Sequence, residues 1–260
     1  MSAVLLDNSI VHYEVLGRGR PVIFLHGWVG SWKYWIASMQ VASTSYRAYA
    51  LDLWGFGDTA HNELKYSLDE QARLLEAFLN ELGIGKIALV GHGLGALVGM
   101  KFASRSRQSV DRIMAVNCPL TYDAVHARLK TTPPQELSDW LSNRTPEASA
   151  ALSDAPKADP KAIAASVAAF QADNLFGAFR ELDIPCLLVY GEKDPAITVP
   201  PYESATSTFT HQIVLDGLGH FPMLEETAKF NRLLTDFLAL PSGISPSELQ
   251  MKDEWKRRVR

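Results

Sequence analysis

Ala88-Leu89-Val90-Gly91-His92-Gly93-Leu94-Gly95-Ala96 is the stretch that decides the fold of this chain. An apolar run from Lys86 to Val90 enters a turn flanked by glycines, and an apolar helical pattern leaves it near Leu94. Strand, sharp turn and helix in that order lift the middle residue of the turn to the top of a sheet. In the pattern G-x-S-x-G the middle residue is the serine that attacks; here it is Gly93, which has no side chain. The frame of a reactive turn is present without its central reagent.

On both sides of this turn, β-branched and apolar runs alternate with helical patterns. That order predicts an α/β chain, with a mostly parallel twisted sheet and helices on both faces. Leu5-Leu6 and Ile10 to Val15, joined through Asp7-Asn8-Ser9, read as an opening hairpin. Val22 to Leu25, Tyr46 to Leu51, Arg112 to Val116, Ile184 to Tyr190 and Ile213 to Leu215 read as further strands. Leu68, Ala72, Leu75, Phe78, Leu79 and Leu82 fall at helical spacing, and Ala228 to Leu240 reads as a closing helix. From 119 to 182 the pattern changes to alanine-rich helices broken by Pro133-Pro134, Pro146, Pro156 and Pro160. The expected organisation is a core domain over 1–118 and 183–240, a small helical cap insertion over 119–182, and a tail helix over 241–260. For the tail, Ser245-Pro246-Ser247-Glu248 reads as a capping box with proline at the first helical position. Met251, Trp255 and Val259 would then share one face.

With 260 residues and 47% hydrophobic content, the chain suits one large domain with room for a cleft. A net charge of −4 gives no electrostatic reason to expect nucleic acid as a partner. No apolar run reaches the roughly 18 residues that span a bilayer, and Asp7 interrupts an opening without a basic leader. These features predict a cytoplasmic protein that meets no membrane. Cys118 and Cys186 lie in separate strand-like runs and read as reduced core thiols. No H-x-x-H, C-x-x-C or carboxylate cluster suggests a metal. Gly91-x-Gly93-x-x-Ala96 also fits a dinucleotide fingerprint, but the following strand ends at Val116-Asn117-Cys118 without the acidic residue that reading needs. No cofactor is expected.

Five separated motifs resemble those of the α/β-hydrolase superfamily, in its chain order and over nearly the whole length. His26-Gly27-Trp28-Val29-Gly30 is similar to its HG-aromatic loop, and Asp52 to Thr59 to its D-x-x-G-x-G-x-S/T loop. Gly91 to Gly95 occupies its nucleophile elbow. Gly191-Glu192-Lys193-Asp194 resembles the turn that carries its acid. Gly219-His220-Phe221-Pro222, with Glu225 and Glu226 just beyond, resembles the turn that carries its base. The resemblance implies an α/β-hydrolase fold in which Asp194 orients His220. It also implies that the backbone N–H groups of Trp28 and Leu94 form an oxyanion hole, with His26 organising that loop.

Those residue types suit a definite chemistry. A histidine held at one nitrogen by a buried carboxylate accepts a proton at the other. Two convergent N–H groups stabilise an oxyanion, and losing one such donor typically costs about 3 kcal/mol. At an elbow tip with positive φ, glycine relieves a strain of roughly 1–3 kcal/mol. It is also expected to open room for a water near His220. Gly93 excludes the carboxylate-nucleophile routes of dehalogenase- and epoxide-hydrolase-like relatives, which need an aspartate there. Three origins of the glycine stay open: a weak or specialised enzyme, a non-catalytic binder, or a serine enzyme disabled by substitution.

Each signal has a plainer reading as well. His220 could be a hydrogen-bonded structural histidine, and Asp194 beside Pro195 a turn residue. His92, preceding the tip, is expected to point away and to pack under the elbow. Trp28, Trp32, Trp35 and Trp54 could line an apolar pocket or simply pack the core and rim. The leading expectation is a hydrolase-like protein acting on a small apolar ester- or carbonyl-type substrate beneath the cap. The alternatives are a non-catalytic small-molecule-binding pseudo-hydrolase and a cofactor-independent His/Asp-dyad enzyme. The sequence leaves substrate identity and oligomeric state open.

Overall fold

The computed structural model describes residues 2–171 and 175–249. Eight strands form one sheet: β1 (Ser2–Leu6), β2 (Ser9–Gly17), β3 (Arg20–Leu25), β4 (Tyr46–Leu51), β5 (Ile87–His92), β6 (Val110–Val116), β7 (Cys186–Gly191) and β8 (Thr210–Leu215). Their order across the sheet is β1-β2-β4-β3-β5-β6-β7-β8. β1 and β2 pair antiparallel, as do β2 and β4, and every other pairing is parallel. Asp7 and Asn8, both at positive φ, form the two-residue hairpin turn between β1 and β2.

Patterning explains the order. Every residue of β5, β6 and β7 is buried, as central parallel strands covered on both faces require. The edge strand β1 instead alternates between half-buried and exposed positions up to Leu6, which is buried. The sheet is flanked by α1 (Ile36–Ala42), α2 (Leu68–Glu81), α3 (Leu94–Arg105) and, at the end of the chain, a helix over Thr227–Ala239. α2 begins at an N-cap in which the Ser67 hydroxyl accepts from the Glu70 N–H, and it buries Leu68, Ala72, Leu75, Phe78 and Leu79. Arg112 of β6 is buried. It pairs with Asp111 and donates to the carbonyl of Phe237, which ties the central sheet to the closing helix.

Among the described residues, five α-helices run between β6 and β7: α4 (Ala127–Thr131), α5 (Pro134–Leu141), α6 (Pro146–Ala151), α7 (Pro160–Gln171) and α8 (Leu175–Arg180). Four of the prolines that break the pattern, Pro134, Pro146, Pro156 and Pro160, stand at the starts of helical turns, where a missing N–H costs nothing. The segment is fastened to loops that leave the carboxyl ends of β3 and β4. Asp154 accepts from Ser31 and Lys33, Asp159 from Tyr66, and the Asp159 N–H donates to Gly55 O.

The expected tail helix falls mostly on 250–260, outside the described residues, as do Met251, Trp255 and Val259. Its described part is one 3-10 turn, Pro246–Glu248. There the Ser245 hydroxyl accepts from the Ser247 N–H, one residue short of the capping-box position, because a 3-10 turn is tighter than an α-turn. Among the described residues no helix is long and apolar enough to cross a membrane.

Candidate active site

β5 ends at His92 and α3 starts at Leu94, so Gly93 alone makes the turn, with φ 48° and ψ −108°. Few residues with a side chain adopt that backbone without strain. The turn is pressed against β3: a Cβ on Gly95 would lie 2.4 Å from Leu25 O, which explains the small residue there. The Gly93 N–H donates to Val116 O at 2.9 Å, joining the tip to the end of β6. Leu94 is the first residue of its helix, so its N–H has no intrahelical acceptor. A Cβ at position 93 would meet Cε3 of Trp28 at 3.2 Å. The open room expected on that side of the tip is therefore bounded by an indole ring.

The loop after β3 is set by two buried side chains. The Leu53 N–H donates to Nε2 of His26 at 3.0 Å, so the His26 proton sits on Nδ1 and is donated to Gly27 O at 2.8 Å. In a trans peptide the C=O and the next N–H point in opposite directions. By binding Gly27 O, His26 thus turns the Trp28 N–H the other way. Burial holds the His26 pKa below its ordinary value, and a neutral ring is what both bonds require. On the other flank the Gly27 N–H donates to the hydroxyl of Tyr34, which lies 3.0 Å from Nδ1 of His92. Having accepted from Gly27, that hydroxyl has its own proton to give, and His92 Nδ1 receives it. The Trp28 indole N–H donates to Oγ of Ser166 on α7 at 2.9 Å.

Asp194 and His220 come from the turns after β7 and β8. Nδ1 of His220 lies 2.9 Å from one carboxylate oxygen of Asp194 and 3.0 Å from the other, with both side chains 1% exposed. The carboxylate also accepts from the N–H groups of Ala196 and Ile197, which fixes its plane. A proton held on Nδ1 by Asp194 leaves the Nε2 lone pair of His220 free to act as a base.

The residues singled out in the sequence are thus gathered, though not all as expected. Asp194 meets His220, the Trp28 ring meets position 93, and His26 fixes the peptide of Trp28. His92 does not point away from the chemistry. Its ring packs 4.6 Å from that of His220, centroid to centroid, and links the elbow to the turn after β8. The reason lies in the parallel register, which sets His92 on β5 beside Val116 on β6, next to the carboxyl ends of β7 and β8. Trp28, Trp35 and Trp54 are buried. Burial also pushes the thiol of Cys118 up, away from reactivity.

Three residues of the site have roles that the sequence does not assign. Tyr34 ties Gly27 to His92, and no motif contains it. Glu225 accepts the N–H groups of Gly219 and Phe221, on either side of His220, at 2.6 and 3.1 Å. Its signal was its place just beyond the histidine. Asn117 reaches from the end of β6 to both reactive turns, and its one signal is an asparagine ending a buried strand.

Among the described residues, His12, Asp52 and Asp58 have potential ligand atoms within 4.8 Å of one another. Most of their polar atoms are already committed, and His12 Nε2 lies 3.5 Å from Glu14 Oε1. Asp52 accepts from His12 and from the N–H groups of Trp32 and Asp58, while Asp58 pairs with Lys157. The arrangement holds the loop after β4. A cavity of about 360 Å³, mostly apolar, opens between Leu120 after β6, Thr198 and Val199 just beyond the Asp194 turn, and Phe176 of α8.

A sequence profile of the Alpha/beta hydrolase family matches residues 22–233. A soluble epoxide hydrolase of Corynebacterium sp. (strain C12) is 29% identical over 113 residues, which cover 44% of this chain and only 40% of the relative. Epoxide hydrolase 3 of Xenopus tropicalis is 26% identical over 278 residues, covering 89% of this chain and 76% of the relative. Among solved structures, a serine-to-glycine mutant of the N-acyl homoserine lactonase AidH, complexed with N-hexanoyl homoserine lactone, superposes with a TM-score of 0.79. That match has 19% identity and covers 91% of this chain and 96% of the other, a likeness of fold.

Proposed function

The chain belongs to the alpha/beta hydrolase family, and from that premise we propose that it is hydrolase-like, with Gly93 standing where the nucleophile belongs. In this reading the helices between β6 and β7 form a cap over a small, largely apolar ester- or carbonyl-type substrate. The observation that carries it is the buried hydrogen bond between His220 Nδ1 and Asp194, at 2.9 Å. The buried His12–Asp52 pair serves a loop, but His220 differs in its place: its ring lies 4.6 Å from that of His92, the residue before Gly93.

With no side chain at 93, water has to attack. Nε2 of His220 takes a proton from the water, and the hydroxide adds to the carbonyl carbon. The N–H groups of Trp28 and Leu94 receive the resulting oxyanion. Collapse expels the leaving oxygen, which takes the proton back from the imidazolium. Triad enzymes stripped of a nucleophile keep about 10³–10⁴ over water, so turnover is slow. Relatives that hydrolyse epoxides lend the fold but not the route, because Gly93 offers no carboxylate.

A second reading, a binder without turnover, is favoured by the Trp28 ring that closes on position 93. Hydrolysis of an activated p-nitrophenyl ester separates the two. It is measured for the chain itself, for Gly93→Ser, and for Gly93→Ser combined with His220→Ala. Turnover that rises with serine and vanishes without His220 supports the assigned seat and base. Slow, His220-dependent turnover by the chain itself supports water attack. No turnover by any of the three overturns the hydrolytic reading and leaves the binder.

A further inference from the structure

We infer that Asn117 is a positioning residue whose side-chain amide holds the His220 turn against the Asp194 turn and so sets the Asp194–His220 hydrogen bond. Asn117 is fully buried at the end of β6 and has φ 42°, in the left-handed region. Its own N–H donates to Val189 O at 2.8 Å, extending the β6–β7 ladder by one residue. The left-handed turn then sends the side chain across the ends of the two following strands. Oδ1 accepts the Gly191 N–H at 2.9 Å, three residues before Asp194. Nδ2 donates to His220 O at 2.8 Å and, more weakly, to Gly219 O at 3.3 Å.

The two turns have little freedom to find another arrangement. A Cβ on Gly191 would lie 2.0 Å from Gly219 O, so the backbones meet directly. The Lys193 N–H donates to Leu218 O at 2.7 Å across the same junction. One planar group with an acceptor on one side and two donor hydrogens on the other fits this junction, and asparagine also tolerates the left-handed backbone. Aspartate would offer the acceptor but no donor for His220 O. Val116, next to Asn117, accepts the Gly93 N–H. Val116, the last residue of β6, and Asn117 just beyond it therefore hold all three turns of the site, the tip through Val116 and the acid and base through Asn117.

This inference takes its meaning from the proposed base pair, but its test reads that pair directly and needs no turnover. The probe is the imidazole Nδ1–H proton of His220, observed by NMR in the ¹⁵N-histidine-labelled chain and assigned by its loss in His220→Gln. Asn117→Gly keeps the left-handed backbone and removes the amide. The expected result is a cooperatively folded protein whose His220 Nδ1–H exchanges with water at least roughly tenfold faster. If Asn117→Gly does not fold, Asn117→Asp carries the same test, since it keeps the acceptor for Gly191 and loses the donor for His220. An exchange rate within about twofold of the parent in a folded variant overturns the inference. So does failure of both variants to fold, which would assign Asn117 to the fold at large. Absence of ester turnover in the parent, with the faster Nδ1–H exchange still seen in the variants, would count against the hydrolytic reading and not against this one.

Discussion

The imidazole rings of His92 and His220 lie 4.6 Å apart, tilted by 59°, in a site closed to solvent. Burial first, and then the neighbouring His220, hold the His92 pKa well below its ordinary value. His92 is therefore held neutral, with its Nδ1 3.0 Å from the Tyr34 hydroxyl.

A pH dependence follows from the signs. His92 and His26 both have depressed folded values, so below about pH 6.5 the unfolded chain binds protons that the folded chain refuses. Each then removes up to about 1.4 kcal/mol of stability per pH unit of acidification. His12 has the opposite sign. Burial opposes its charge, but the hydrogen bond and charge of Asp52, aided by Asp58 and Glu14, hold its pKa above the ordinary value. Its contribution is complete below about pH 6.5 and is lost as pH rises through the raised value. Urea unfolding between pH 5 and 8 should show stability falling on the acid side, with a shallower acid slope in His92→Phe. Equal slopes would mean that His92 titrates normally.

Gly93→Ser should restore an attacking group at a cost in stability. Position 93 has φ 48°, and a side chain there carries strain of roughly 1–3 kcal/mol. Its Cβ would also press on the Trp28 ring at 3.2 Å, which must give by a few tenths of an ångström. Gly93→Ala should lose the same stability and gain no activity. Urea midpoints of the two variants check this, and midpoints equal to the parent's would show that the elbow relaxes freely.

How much of this was legible in the sequence depended on what kind of contact did the holding. The strand–turn–helix around Gly93 and the turns at Asp194 and His220 could be read because their glycines answer local backbone demands. The long apolar runs of β5 and β7 likewise announced burial on both faces. The part played by His92 was not legible, because it depends on which strands lie side by side. Periodicity gives strands, whereas the order β3-β5-β6-β7 comes from tertiary packing. Asn117 was hidden for the same reason: its partners are 74 and 103 residues away in the chain. At the tail, Ser245 caps a turn that opens with Pro246, as the pattern predicts, but the turn is 3-10, so the hydroxyl accepts from Ser247.

Glu225 should stiffen the His220 turn from the opposite side to Asn117. Its carboxylate takes the N–H groups of Gly219 and Phe221, and removing it leaves two part-buried donors without a partner. Glu225→Ala should cost about 1–3 kcal/mol, and Glu225→Gln less, since one carbonyl oxygen still accepts. Unfolding curves give both numbers. A Glu225→Ala variant as stable as the parent would mean that water replaces the carboxylate at both donors.

Trp28 should couple the site to the helical segment between β6 and β7. The Ser166 hydroxyl donates back to carbonyls of its own helix, Ala162 O at 2.7 Å and Ile163 O at 3.0 Å, which leaves its lone pairs for the indole N–H. The bond joins a ring resting on position 93 to helix α7. Trp28→Phe and Ser166→Ala should each destabilise the protein. In a double-mutant cycle their interaction should be about 0.5–1.5 kcal/mol, the usual net worth of one buried hydrogen bond. A coupling near zero would mean that the indole is held by packing alone.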